Sequence, residues 1–149
     1  MKKMRETMTP SIFEVFEKMF YIFLEPLDAG NDEYDMEAAI SFEGSISGDV
    51  RILFSRNIVK AMVQNMLGLK GDEITGQDME DCSKEAVNMV CGNFLSGLDS
   101  TKVFNLSTPT FKEGRPQDLG SKENICRMDF DSDSGKISVI LHSEPLQQK

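Results

Sequence analysis

The hydrophobic positions of the chain fall into helical and alternating stretches that follow one another without a linker. Ile12, Phe13, Val15, Phe16, Met19, Phe20, Ile22, Phe23 and Leu24 cover more than half of a helical circumference. They predict a helix over Ser11 to Glu25 that lies across a sheet and touches a further element. Thr9 suits its N-cap, Pro10 its first position and Pro26 its end, so Met1 to Met8 read as a frayed start. Glu14, Glu17, Lys18 and Tyr21 are left as its polar side.

Met36, Ala38, Ile40 and Phe42 then alternate with Glu37, Ala39, Ser41 and Glu43, and after a bend at Gly44 to Gly48 the alternation returns in Val50, Ile52 and Phe54. Period two on both sides of a glycine-bounded bend predicts a hairpin. Ser55 can cap a second helix, in which Ile58, Val59, Met62, Val63, Met66 and Leu67 recur at helical spacing until Gly68. Val103 to Phe111 predicts a strand interrupted at Pro109, which has no ladder donor and marks an edge, a bulge or a strand end. Lys112 to Glu123 is a loop rich in Gly, Pro and charge, and by composition the most flexible segment expected of the chain. Cys126, Met128 and Phe130 pair with Ile137, Val139 and Leu141 as a second hairpin.

Between the hairpins, Thr75 with Asp78 makes a capping-box start for the longest helical pattern, Gln77 to Leu98. Met79, Cys82, Ala86, Val87, Val90 and Phe94 fall on one side at about 100° per residue. On the other side Asp81, Glu85, Asn88, Gly92 and Ser96 stack along one exposed strip. Gly92 weakens the helix by roughly 1 kcal/mol against Ala. Either another molecule's backbone comes close beside Asn88, or Gly92 admits a neighbouring element of this chain. Asn93 and Ser96 read as packing and surface residues.

The elements predict an α/β (α+β) fold, a mostly antiparallel sheet of five or six strands with long helices packed on it. The 149 residues suit a single domain, 1–149. Sixteen basic against twenty-five acidic residues give a net charge of −9, which argues against a nucleic-acid or anionic-membrane surface. The longest apolar run, Met19 to Leu24, is too short to span a bilayer. With no secretory signal pattern and an odd number of cysteines, the expected location is the cytoplasm.

Little else in the chain suggests chemistry of its own. Cys82 and Cys91 point to opposite sides of one helix and cannot share a metal, and Cys82 and Cys126 read as core thiols. His142 ends an apolar strand with no obvious partner, against a nucleophile-and-base pair. The turn from Asp129 to Gly135 has its glycine one place late for an EF-hand loop, and Ile140 stands where a bidentate Glu is needed. An Asp/Ser/Gly hairpin turn accounts for it. No metal site is expected.

Asp81-x3-Glu85-x2-Asn88 on the polar face of a helix, with Pro109 some twenty residues on, resembles the signature of the CheC/CheX/FliY phosphatases of bacterial chemotaxis. The succession of helix, hairpin, helix, signature helix and terminal strands is similar to that family across nearly the whole chain. One signature in a chain of this size resembles the CheX type. The resemblance implies hydrolysis of the aspartyl phosphate on a CheY-like receiver domain, whose own Mg2+ neutralises the transferring group, with no cofactor on this chain. It further implies that Asn88 orients the attacking water and that Glu85 pairs with the partner's active-site lysine. Asp81 and Gly92 are then partner-binding. It also implies a homodimer joined through the sheets, for which an exposed edge in the terminal hairpin would serve. The other functional class is a non-catalytic module that binds a receiver or a flagellar-switch component.

Overall fold

Three of the alternating stretches line up at the middle of one antiparallel sheet, and the helices cover one of its faces. The computed structural model describes residues 2–28, 30–116 and 124–144. Helices α1 (Lys2–Phe20), α2 (Arg56–Leu67) and α3 (Gly76–Leu98) are joined with strands β1 (Glu25–Pro26), β2 (Met36–Glu43), β3 (Gly48–Phe54), β4 (Asn105–Leu106), β5 (Thr110–Glu113), β6 (Ile125–Asp131) and β7 (Ile137–Ser143). The sheet order is β1-β6-β7-β3-β2-β4, with β5 also pairing β2. Every pairing is antiparallel.

Both hairpins form where the alternation predicts them. Ala38 faces Ile52 in the first, and Met128 faces Val139 in the second. Their inward residues, Ala38, Ile40, Phe42, Val50, Ile52, Val139 and Leu141 among them, join the helices in one core. On the other face a smaller cluster holds Tyr34, Leu53 and Ile140. In the terminal hairpin β7 lies between β6 and β3, while the outer side of β6 is paired by the two-residue β1 only at Phe130 and Asp131. The short β1 and the division of the expected Val103 to Phe111 strand into β4 and β5 explain why the sheet has seven strands rather than five or six.

The first helix departs most from expectation. It starts at Lys2 and carries Pro10 in its interior. Two added turns bury Met8 completely, and the Thr7, Thr9 and Ser11 hydroxyls donate to carbonyls four residues back. Thr7 also meets α3 so closely that a Cβ on Gly97 would lie 2.9 Å from its methyl group. Burial of Met8 and contact with α3 outweigh the hydrogen bond that proline removes.

The same helix ends at Phe20, five residues earlier than the pattern predicts. Tyr21 turns the backbone into the left-handed region at φ 53°, the Phe20 carbonyl accepts from Asn65 Nδ2 at 2.8 Å, and Ile22 N–H reaches back to the Phe16 carbonyl. The chain then runs extended. Ile22 and Leu24 point inward, while Phe23 is 71% exposed, so part of this apolar run alternates like a strand and leads into β1.

The starts of α2 and α3 differ. Ser55 occupies the N-cap of α2 but makes no side-chain cap; its hydroxyl accepts from Lys136 N–H instead. Gly68 closes α2 in the left-handed conformation expected of it. A short 3-10 turn, Gly71–Glu73, follows. At α3 the capping box forms: Thr75 Oγ1 accepts from Asp78 N–H at 3.1 Å and Asp78 returns the bond to Thr75 N–H at 3.0 Å.

The strand expected over Val103 to Phe111 is two short strands, β4 and β5, separated at Pro109. Ser107 bridges the interruption, accepting from Ser41 N–H with its hydroxyl and donating its own N–H to the Ser41 carbonyl. Lys112 and Glu113 belong to β5, so the following loop starts later than predicted; its residues 117–123 lie outside the described ones. The Asp129 to Gly135 segment ends β6 and makes a hairpin turn with Gly135 at φ 137°. Among the described residues no helix is long and apolar enough to cross a membrane.

Removing the α3 cap should be felt in the whole fold. Thr75→Ala leaves Asp78 N–H without its side-chain acceptor and is expected to destabilise the protein by about 1 kcal/mol. The check is a lowered urea midpoint with an unchanged slope.

Candidate active site

Helix α3 is buried far beyond a single stripe. Besides Met79, Cys82, Ala86, Val87, Val90 and Phe94, the residues Ser83, Cys91 and Leu95 are also buried. It packs on α1, α2 and the sheet at once, which explains why Cys82 and Cys91, on opposite sides of it, are both enclosed. Ser83 satisfies its hydroxyl on the Met79 carbonyl at 2.8 Å. What remains at the surface is the strip carrying Asp81, Glu85, Asn88, Gly92 and Ser96.

Along that strip Asp81, Lys84, Glu85 and Asn88 form one wall of an open cleft of about 330 Å³, and Pro109, from the break between β4 and β5, lines it too. Residues 81, 85 and 88 recur at spacings of four and three and therefore share a helix face; Pro109 comes from a different layer. The aromatic side chains hold those layers in place. Phe42 of β2 contacts Phe94 of α3 with ring centroids 6.3 Å apart and Phe104, just before β4, at 6.4 Å.

The polar groups of the cleft are bonded unequally. Asp81 Oδ1 accepts from Gln77 Nε2 at 2.8 Å, and Lys84 pairs with Glu80 at 2.7 Å. Neither the Glu85 carboxylate nor the Asn88 carboxamide has a hydrogen-bond or ion-pair partner among the described residues. Half-buried charges elsewhere do: Glu37 pairs with Arg51, Asp129 with Arg127 and Asp49 with His142. A polar group that is partly withdrawn from water and unpaired within its own chain is free to bond a visitor. Gly92 adds room beside it. A Cβ built there meets nothing within 4 Å, so no neighbouring element of the chain requires the glycine.

The other reactive groups are elsewhere or inert. Burial, with Glu85, Asp78 and Asp81 nearby, pushes the Cys82 thiol up to about 12. Burial alone takes Cys91 to about 12 and also raises Cys126. Thiols of this kind remain protonated at neutral pH and are poor nucleophiles. His142, expected to stand alone, lies 3.3 Å from Asp49 across the β3–β7 ladder, away from the cleft. No group of three or more His, Cys, Asp or Glu among the described residues is arranged to hold a metal ion. The cleft offers a carboxamide that both donates and accepts, a free carboxylate and an open approach.

The family model described as "Chemotaxis phosphatase CheX" matches residues 36–142, which include the whole cleft. The chain belongs to the CheX family. Solved CheX structures share the fold. That from Vibrio vulnificus is 24% identical with a TM-score of 0.82, covering 95% of this chain and 96% of its own. CheX from Desulfovibrio desulfuricans is 22% identical with a TM-score of 0.80, covering 95% and 99%. A CheX–CheY–BeF3–Mg2+ complex from Borrelia burgdorferi is 17% identical with a TM-score of 0.74, covering 94% and 97%. Comparison with curated proteins finds no match.

The residues singled out in the sequence are thus brought together, with Ser96 on the same strip and Asn93 half-buried beside it. Lys84 is the lining residue the sequence reading missed. Its signal was present, since it stands four residues before Asn88 on the same ridge.

The open space at Gly92 has a direct consequence for stability. Gly92→Ala is expected to stabilise the protein by about 1 kcal/mol, because it gains helix propensity and meets no neighbour. Thermal unfolding should show a midpoint higher by about 2–4 °C.

Proposed function

We propose that this CheX-family chain accelerates hydrolysis of the aspartyl phosphate on a CheY-like receiver domain, with Asn88 holding the attacking water. The observation that carries the reading is the unpartnered Asn88 carboxamide, which shares an open cleft with an unpartnered Glu85 and Pro109, with the bare backbone of Gly92 one turn further along the same strip. The B. burgdorferi relative supports it, having been solved with CheY, Mg2+ and BeF3, a stand-in for the phosphoryl group.

In this reading the reacting bond belongs entirely to the partner. Water oxygen bonds to phosphorus in line with the acyl oxygen, the bond between that oxygen and phosphorus breaks with its electrons left on the aspartate as a carboxylate, and the protons of the water leave with the inorganic phosphate or pass to solvent. A carboxylate is stable at neutral pH, so the leaving group needs no general acid. Mg2+ on the receiver supplies charge neutralisation at the transferring group. Asn88 contributes placement: its carbonyl accepts a hydrogen bond from the water and its amide donates toward an oxygen of the partner. Glu85, one turn earlier, pairs with a cation at the partner's site and sets the docking register. Asp81, restrained by Gln77, flanks that contact, and Gly92 lets the partner's backbone approach the helix. No covalent intermediate on this chain is required, in keeping with the protonated, buried thiols.

Two variants separate positioning from docking. Asn88→Ala should lower the accelerated rate of phosphate release by about 10²-fold or more while the affinity for a BeF3-treated receiver changes little. Glu85→Ala should weaken that affinity and reduce activity through it. The measurement is phosphate release from a panel of phosphorylated receivers of the same cell, paired with binding titrations. A wild-type protein that binds a receiver without speeding phosphate release would instead be a non-catalytic receiver-binding module.

A further inference from the structure

Lys84 is the one basic side chain on α3, against Asp78, Glu80, Asp81 and Glu85. It lines the cleft with Asn88 and Pro109. In the free protein its ammonium rests on Glu80, with both side chains about a third exposed. An i,i+4 pair at that exposure is weak and screened by salt, so it can be exchanged for another partner with little loss. Lys84 and Asn88 stand one helical turn apart, roughly 6 Å along the axis, a distance that a lysine stem can bridge. Beside Lys84 is Glu85, of opposite charge and half-buried without a partner.

The chemistry of the other molecule gives this arrangement its meaning. An aspartyl phosphate next to Mg2+ implies oxygen ligands around that ion, carboxylates among them, and hence a pocket with negative charge at its rim. This chain carries −9 itself, so the long-range field opposes encounter. Attraction has to be supplied locally. Resting on the receiver-phosphatase reading above, we propose that Lys84 is a docking residue: on association it leaves Glu80 and pairs with a carboxylate at the rim of the partner's phosphorylation pocket. Lys84 and Glu85 then form a two-point plug of opposite charges, one for an anion and one for a cation, that selects acidic receivers and fixes their orientation. Its effect falls on association and partner choice, leaving the placement of water to Asn88.

Lys84→Met keeps the aliphatic stem and removes the charge. Its affinity for BeF3-treated CheY-like receivers is expected to fall roughly tenfold at low salt, with the gap from wild type closing as ionic strength rises. Phosphate release at saturating receiver should stay within about twofold of wild type, so the change appears in KM and not in kcat, and Lys84→Arg should restore affinity. Unchanged affinity in Lys84→Met, a deficit insensitive to salt, or a loss confined to kcat would overturn the proposal. Wild-type protein that binds a receiver but releases no phosphate would overturn the enzymatic reading alone, because the affinity comparison still decides the role of Lys84. Wild-type protein that binds no receiver would overturn both.

Discussion

Phe42 is the contact on which the candidate site depends. From near the end of β2 it touches Phe94 on the buried side of α3 and Phe104 ahead of β4, so one ring ties the central helix to the segment that leads to Pro109. The cleft exists only while those two layers keep their spacing, since Asn88 belongs to one and Pro109 to the other. Gly44 takes part by omission. A Cβ at that position would come within 2.5 Å of the Phe104 ring, so the bend between β2 and β3 must be bare for the ring to seat. A polar site at the surface is thus held in place by apolar packing beneath it, as a preorganised arrangement requires.

Elements with a strong local period were legible in the sequence; those decided by neighbours were not. The alternations in β2, β3, β6 and β7 and the capped, 3.6-periodic α3 follow from side-chain spacing, and so does the strip of Asp81, Glu85 and Asn88. The first helix shows where such reasoning stops. Pro10 looks like a start because it lacks a donor, but the turns before it gain the burial of Met8 and the contact of Thr7 with α3, which only the assembled fold reveals. The apolar run through Leu24 satisfies a helical pattern and an alternating one, and Asn65, from a different helix, helps decide between them at Phe20. His142 was read as solitary because its partner Asp49 is nearly a hundred residues away in sequence.

Within the site, the helix-borne residues were legible and their surroundings were not. Which polar groups lack partners depends on what the rest of the chain brings near, and no spacing rule reports that. Gln77 occupies Asp81 and Glu80 occupies Lys84, whereas Glu85 and Asn88 are left unbonded among the described residues. The meaning of Gly92 was likewise open until the space in front of it was seen to be clear.

Pro109 carries a second consequence. β4 and β5 lie on the outer side of β2, where an unbroken strand would present a row of free backbone donors and acceptors to any other chain. Pro109 splits that row into pieces of two and four residues and removes one donor at the gap. The residue that lines the opening thereby also guards the molecule against edge-to-edge aggregation. Replacing it with a β-branched residue would invite polymerisation through the sheet as well as reshaping the recess.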